Sequence, residues 1–175
     1  MRKMHVLVAA SLCAVLGLAA AVRAETRIVV KGVHLCCPAC TAAVNKILKG
    51  VDGVKGVCDA DEGTVTITAT GDDAARKAID ALAAGGFHGQ SDNKDIAFKD
   101  DSGAKGMVKT LTLTGIHDCC GRCNKAIKAA IKTVSGVTSD TATSRKSEFT
   151  VEGDFDAAAL VKALNDAGFH AKVKE

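Results

Sequence analysis

Two short stretches hold most of the reactive side chains of this chain: GVHLCCPAC at 32–40 and GIHDCCGRC at 115–123. Each puts three thiols within five positions and a histidine two residues ahead of them. Thiolate sulfur and imidazole nitrogen are the donors that soft and borderline ions select, here Cu(I), Zn2+, Cd2+ or Hg2+. The candidate ligands are His34, Cys36, Cys37 and Cys40 in the first stretch, and His117, Cys119, Cys120 and Cys123 in the second. Two thiolates suffice for near-linear Cu(I) or Hg(II). A third, Cys36 or Cys119, allows trigonal binding, and His34 or His117 then completes a Cys3His set suited to tetrahedral Zn2+ or Cd2+. The expectation is two independent centres of three thiolates, about one metal ion per motif.

Two rival chemistries use the same thiols. CxxC also serves thiol–disulfide exchange in oxidising compartments, and paired cysteines staple small exported domains. The only proline is Pro38, inside the first motif, so no second proline is available to face the cysteines as a thioredoxin-like enzyme would require. Adjacent cysteines beside a CxxC are an awkward disulfide framework, because geometry restricts which pair can close. No acid/base pair, nucleophile constellation or phosphate loop is visible. The residues read as a binding protein rather than an enzyme.

The elements around the motifs repeat as well. A shift of 83 residues lays Gly32, His34, Cys36, Cys37 and Cys40 on Gly115, His117, Cys119, Cys120 and Cys123, and Val51, Gly53 and Val54 on Val134, Gly136 and Val137. After a one-residue deletion, Phe87-His88 meets Phe169-His170. Residues 26–32 and 108–115 read as strands. Val44, Ile47, Leu48 and Val51, like Ile127, Ala130, Ile131 and Val134, fall at i, i+3, i+4 and i+7 on one helical face. Pro38 suits a first helical position. A strand from Val54, a turn at 61–63 and the alternation of 64–68 predict a hairpin. A second helix is expected from an Asp72-Asp73 cap, burying Ile79 and Leu82, with Leu160, Val161 and Leu164 as counterparts. Gly85-Gly86 and Gly168 are its stops, and a short last strand follows each Phe-His pair. The order βαββαβ predicts two tandem ferredoxin-like α+β sandwiches.

A CxxC at a helix start places both sulfurs at the positive end of the helix dipole, which favours thiolates. Cys40 and Cys123 stand four residues before Val44 and Ile127, above the apolar face. His88 and His170 read as solvated turn residues that could reach toward the cysteines. Phe87 and Phe169 read as core plugs, and Cys58, opposite Thr141, as a small half-buried strand residue.

Both repeats resemble the heavy-metal-associated domain, a family found in copper chaperones, metal-transporting ATPases and periplasmic mercury-binding protein. The resemblance rests on the glycine after the first strand, Cys37-x-x-Cys40 and Cys120-x-x-Cys123, the Gly53-Val54 and Gly136-Val137 pairs, and Gly86-Phe87 and Gly168-Phe169. It implies the ferredoxin-like fold, metal ions as ligands, and a membrane metal transporter or another metal carrier as partner. The sequence departs from the family in having Val33 and Ile116 where a Met is usual, and in the extra residues Leu35-Cys36 and Asp118-Cys119.

The start of the chain points to export. Arg2 and Lys3 precede an apolar run from Val6 to about Val22, and Val-Arg-Ala then offers a cleavage site after Ala24. The run falls slightly short of the roughly 20 residues of a spanning helix. The expected domains are 1–24 signal peptide, 25–91 first unit, 92–106 linker and 107–175 second unit, with Ile96-Ala97-Phe98 completing an edge strand of the first. Removing 1–24 leaves 20 basic side chains against 20 acidic ones and an odd seven cysteines. Disulfides within the chain cannot consume all seven. A chain without Trp, Tyr or a basic block gives no sign of nucleic-acid binding. The expected location is the periplasm or the secreted medium, with no membrane insertion after cleavage. N-terminal sequencing of exported material should therefore begin at Glu25; a start at Met1 would overturn the signal-peptide reading.

Overall fold

Burial alternates along the strands as the sequence pattern requires. In β3 (Thr64–Ala69) the threonines face outward while Val65, Ile67 and Ala69 are buried, and in β1 (Thr26–Lys31) Ile28 and Val30 are buried. The computed structural model describes residues 24–175; the expected signal peptide lies outside them apart from Ala24. The first unit continues through α1 (Pro38–Lys49), β2 (Val54–Asp59), α2 (Asp72–Ala84) and β4 (Gln90–Ser91). The second comprises β5 (Met107–Thr114), α3 (Gly121–Lys132), β6 (Val137–Asp140), β7 (Glu148–Asp156), α4 (Ala157–Asp166) and β8 (Lys172–Val173).

Each unit is a four-stranded antiparallel sheet, in the orders β2-β3-β1-β4 and β6-β7-β5-β8. The register sets Ile28 opposite Ile67 and Val30 opposite Val65, and in the second sheet Leu113 opposite Phe149. Apolar faces of the two helices cover one side: Val44, Leu48, Ala75, Ile79 and Leu82 in one unit, Ile127, Ile131, Leu160 and Leu164 in the other. Both units are ferredoxin-like βαββαβ sandwiches.

Two local expectations change. Gly71, not Asp72-Asp73, caps α2; the two aspartates lie in its first turn, where they favour the dipole. Residues 96–98 form no strand, since the short edge is taken by Gln90–Ser91 pairing with Val30 and Lys31. Ile96 is instead a buried plug, and the Phe98 ring packs 4.7 Å from that of His88.

The two sandwiches dock through their Gly-Phe-His turns. Phe87 and Phe169 form an antiparallel bridge, with His88 N–H donating to the Gly168 carbonyl at 3.1 Å and His170 N–H to the Gly86 carbonyl at 3.0 Å. Each turn also presses on the opposite repeat's cysteine loop. The Phe87 ring stacks on His117 at 4.3 Å, and Phe169 lies 4.5 Å from His34. Both phenylalanines are fully buried, worth about 2 kcal/mol each in apolar burial. His88 and His170 stack on one another with centroids 6.0 Å apart, so they are interface residues rather than solvated ones; His170 is only 3% exposed. Burial depresses the His88 pKa to about 4, keeping the ring neutral.

Gly86 and Gly168 make the close approach possible. A Cβ on Gly86 would come within 2.3 Å of His117 N and 2.4 Å of Gly115 O, and one on Gly168 within 2.5 Å of Gly32 O. Gly115 has the same left-handed φ as Gly86 (82° against 81°) but open space around it. Gly115→Ala should therefore cost only the backbone strain, about 1 kcal/mol. Gly86→Ala adds a clash with the opposite repeat, and should lower the melting point further and enlarge the chain in small-angle scattering. Equal behaviour of the two variants would refute the docking role.

Candidate metal centre

The cysteine loops join β1 to α1 and β5 to α3, and hairpin turns pin both. Val33 N–H donates to the Gly63 carbonyl at 2.9 Å; Ile116 N–H donates to Ser147 O at 3.3 Å, and Arg145 N–H to Asp118 O at 2.8 Å. Val33, Leu35 and Ile116 are buried and anchor the loops in the core. Cys37 and Cys120 are the helix N-caps, in extended conformation, and Cys40 and Cys123 follow on the first turns, fully buried. Neither first turn carries an acidic residue. Both helix N-termini therefore present positive dipole ends to the sulfurs.

Docking brings the two loops face to face, and this departs from the expected pair of separate centres. Across the repeats, Cys36 Sγ lies 3.4 Å from Cys123 and 3.8 Å from Cys120. Cys40 Sγ lies 3.5 Å from Cys119 and 3.7 Å from Cys123, and Cys37 Sγ 3.6 Å from Cys119 and 3.9 Å from Cys120. Within the repeats the separations are no shorter: 3.5 Å for Cys37–Cys40, 3.8 Å for Cys36–Cys40, 3.6 Å for Cys119–Cys123 and 3.8 Å for Cys120–Cys123. All six thiols are free and share one cluster.

The histidines also cross the boundary. His117 has a ring nitrogen within 4.8 Å of the sulfurs of Cys119 and Cys123, and of Cys40 from the other repeat. His34 groups with Cys36 and with Cys123 of the other repeat. The expected single-repeat Cys3His set is thus replaced by mixed ones. The Nε2 atoms of His34 and His117 are buried with no hydrogen-bond partner, and burial depresses both pKa values. Neutral imidazoles with a free buried nitrogen suit a cation. His88 and His170 stay at the interface; Asp101 Oδ1 lies 3.0 Å from His170 Nε2, close but misaligned for a hydrogen bond. Cys58 is remote from the cluster, half-buried on β2 with Asn45 Oδ1 3.7 Å away. The interface role of the Gly-Phe-His turns was missed in the sequence reading; its signal was the recurrence of the same apolar-flanked histidine in both repeats.

Ionisation is uneven. The N–H groups of Cys123 and Arg122 face Cys120 Sγ, as electrostatic neighbours rather than full capping bonds, and lower its pKa to about 6. For Cys37, burial raises the pKa, but N–H groups of Cys40 and Ala39 and neighbouring thiols outweigh it, so the net shift is downward. Burial pushes Cys119 up to about 12 and raises Cys36 and Cys40 as well. The metal-free cluster thus favours thiolate at the Cys120 cap and protons on Cys36, Cys40 and Cys119, with Cys37 shifted toward thiolate.

A profile of the heavy-metal-associated domain matches residues 111–170, the second repeat. Oxidized MerP from Ralstonia metallidurans CH34 is 31% identical over 38% of this chain and 97% of its own, with a TM-score of 0.36. The chain belongs to the heavy-metal-associated domain family. The N-terminal domain of PacS from Synechocystis PCC6803 is 28% identical, covering 39% of this chain and all of that one, with a TM-score of 0.36. The N-terminal soluble domains of Bacillus subtilis CopA are 20% identical over 87% of this chain and 95% of theirs, with a TM-score of 0.32. No curated protein matches the chain. This is a heavy-metal-binding family, and the chain carries the sulfur-rich groups able to hold such an ion. No helix among the described residues is long and apolar enough to cross a membrane.

With Cys120 near pKa 6, about nine in ten of its side chains are thiolate at pH 7. Brief alkylation of the reduced, metal-free chain at pH 7 should modify Cys120 well before Cys119. Peptide mapping that found the two labelled equally would show that the helix end does not activate the cap.

Proposed function

We propose that this chain is an exported carrier or scavenger of soft heavy-metal ions, held by the thiolates of Cys36, Cys37, Cys40, Cys119, Cys120 and Cys123 with His34 and His117 beside them. It is a binding protein rather than an enzyme. The observation that carries this is the gathering of six free thiols, between 3.4 and 3.9 Å from their neighbours, at two helix N-termini. A soft cation compensates thiolates that would otherwise repel, and its binding expels the protons of the deeper sulfurs. The half-buried Cys36, Cys37, Cys119 and Cys120 give an incoming ligand thiolate a point of attack. That favours hand-over to a membrane metal transporter or another carrier outside the cytoplasm, reached after cleavage of residues 1–24.

Because the sulfurs are shared, the two motifs act together. Cys37→Ser with Cys40→Ser removes sulfurs that touch Cys119 and Cys123. Native mass spectrometry of the reduced chain with Cu(I), Zn2+, Cd2+ and Hg2+ should show metal retained by the wild type, and more than half of that capacity lost in the double variant. A reduced wild type that retained none of the four ions would remove the metal-binding reading and leave thiol–disulfide exchange as the use of the cysteines.

A further inference from the structure

The six sulfurs have a definite shape. Their approaches of 3.4–3.9 Å trace the edges of an octahedron, apart from Cys36–Cys37 and Cys119–Cys120, whose sulfurs still lie within 4.8 Å. The pairs that make no such approach, Cys36 with Cys119, Cys37 with Cys123 and Cys40 with Cys120, stand at opposite corners. Alternate faces of this octahedron are Cys36/Cys37/Cys40, Cys37/Cys119/Cys120, Cys40/Cys119/Cys123 and Cys36/Cys120/Cys123. Each sulfur belongs to two of these four faces, and three of the faces combine both repeats.

We propose that the two repeats jointly build one tetranuclear Cu(I) thiolate centre, with one Cu(I) on each of those four faces and every cysteine sulfur bridging two metals. This rests on the metal-binding reading above and specifies its cargo. Three arguments support it. A metal–sulfur bond of about 2.3 Å spaces the sulfurs of a trigonal ion about 4.0 Å apart, whereas a linear ion needs about 4.6 Å. The observed 3.4–3.9 Å edges fit trigonal faces and are too short for two linear CxxC sites. Secondly, two tetrahedral Zn2+ ions sharing six sulfurs would need two bridging sulfurs in contact with all five others. No sulfur here is so placed, since each has an opposite corner. Thirdly, Cu(I) is among the ions that soft thiolates select, and it accepts trigonal sulfur coordination.

The chemistry balances without a redox step. Four Cu+ and six cysteine thiolates give a Cu4S6 core of net charge 2−, and each sulfur still protonated in the metal-free chain releases its proton to the solvent. The dianion sits between two helix N-termini, each worth roughly half a positive charge, with Arg122 in the first turn of α3 and no acidic residue in either first turn. His117 flanks the Cys40/Cys119/Cys123 face and His34 the Cys36/Cys123 edge, closing the buried side.

The test is a titration of the reduced chain from Glu25 onward, which carries every described element, with Cu(I) supplied as its acetonitrile complex. Native mass spectrometry should show the metal-free and four-copper species dominating, with one- to three-copper species sparse. X-ray absorption of the loaded wild type should show about three sulfurs per copper and a short copper–copper vector. Cys36→Ser and Cys119→Ser, each checked by circular dichroism for the metal-free fold, should each abolish the four-copper species, though they lie in different repeats. Two copper ions filling independently, each two-coordinate and each lost only on mutation of its own CxxC, would overturn the shared centre while leaving the metal-binding reading intact. Retention of no Cu(I), with Zn2+ or Cd2+ retained, would overturn the copper centre and leave the broader reading. Retention of no soft ion at all would remove both.

Discussion

The bridge between Phe87 and Phe169 is the contact on which the arrangement of the thiols depends. Two backbone hydrogen bonds and two buried rings hold the sandwiches so that each Gly-Phe-His turn lies on the other's cysteine loop. Without that contact, residues 92–106 would be the only tie between two mobile domains, and the sulfurs of different repeats would meet only transiently. With it, cross-repeat sulfur separations equal those inside a repeat. Glycine is required because the backbones approach more closely than a Cβ allows, in a left-handed conformation that suits glycine.

Assembling six thiols in one place opposes itself electrostatically. Ionising all of them would put like charges within 4 Å, so burial and mutual repulsion keep protons on Cys36, Cys40 and Cys119. The helix ends offset part of that cost at Cys37 and Cys120. A bound soft cation offsets the rest. On the proposed reading, metal affinity and the docking of the repeats are therefore linked: an ion that needs sulfurs from both loops stabilises only the docked form.

The departures from the family pattern acquire physical roles in this geometry. Val33 and Ile116, standing where a methionine is usual, are buried anchors rather than donors. The lengthened loops carry one extra thiol each toward the other repeat, Cys36 toward Cys123 and Cys119 toward Cys40. Leu35 tethers the first loop by burial; Asp118 tethers the second by accepting from Asn124 at 2.8 Å and from Arg145 N–H.

The fold of each unit was legible in the sequence because its causes are local. Alternation in 64–68 makes one sheet face apolar, i, i+3, i+4 spacing makes a helical stripe, and the left-handed Gly86 and Gly168 stop α2 and α4. Equivalent cysteines after equivalent strands likewise placed each CCxxC at a helix start. The sequence did not reveal that the two cysteine loops meet in one thiol cluster. That depends on which surfaces of two nearly identical units meet, a choice made by side chains far apart in the chain: Phe87 with Phe169, His34 with Phe169, His117 with Phe87. Spacing within a motif fixes where sulfurs sit on their own helix. Only docking decides which other sulfurs they face, because burial of two phenylalanines and pairing of two backbone segments select the approach, and the thiols follow.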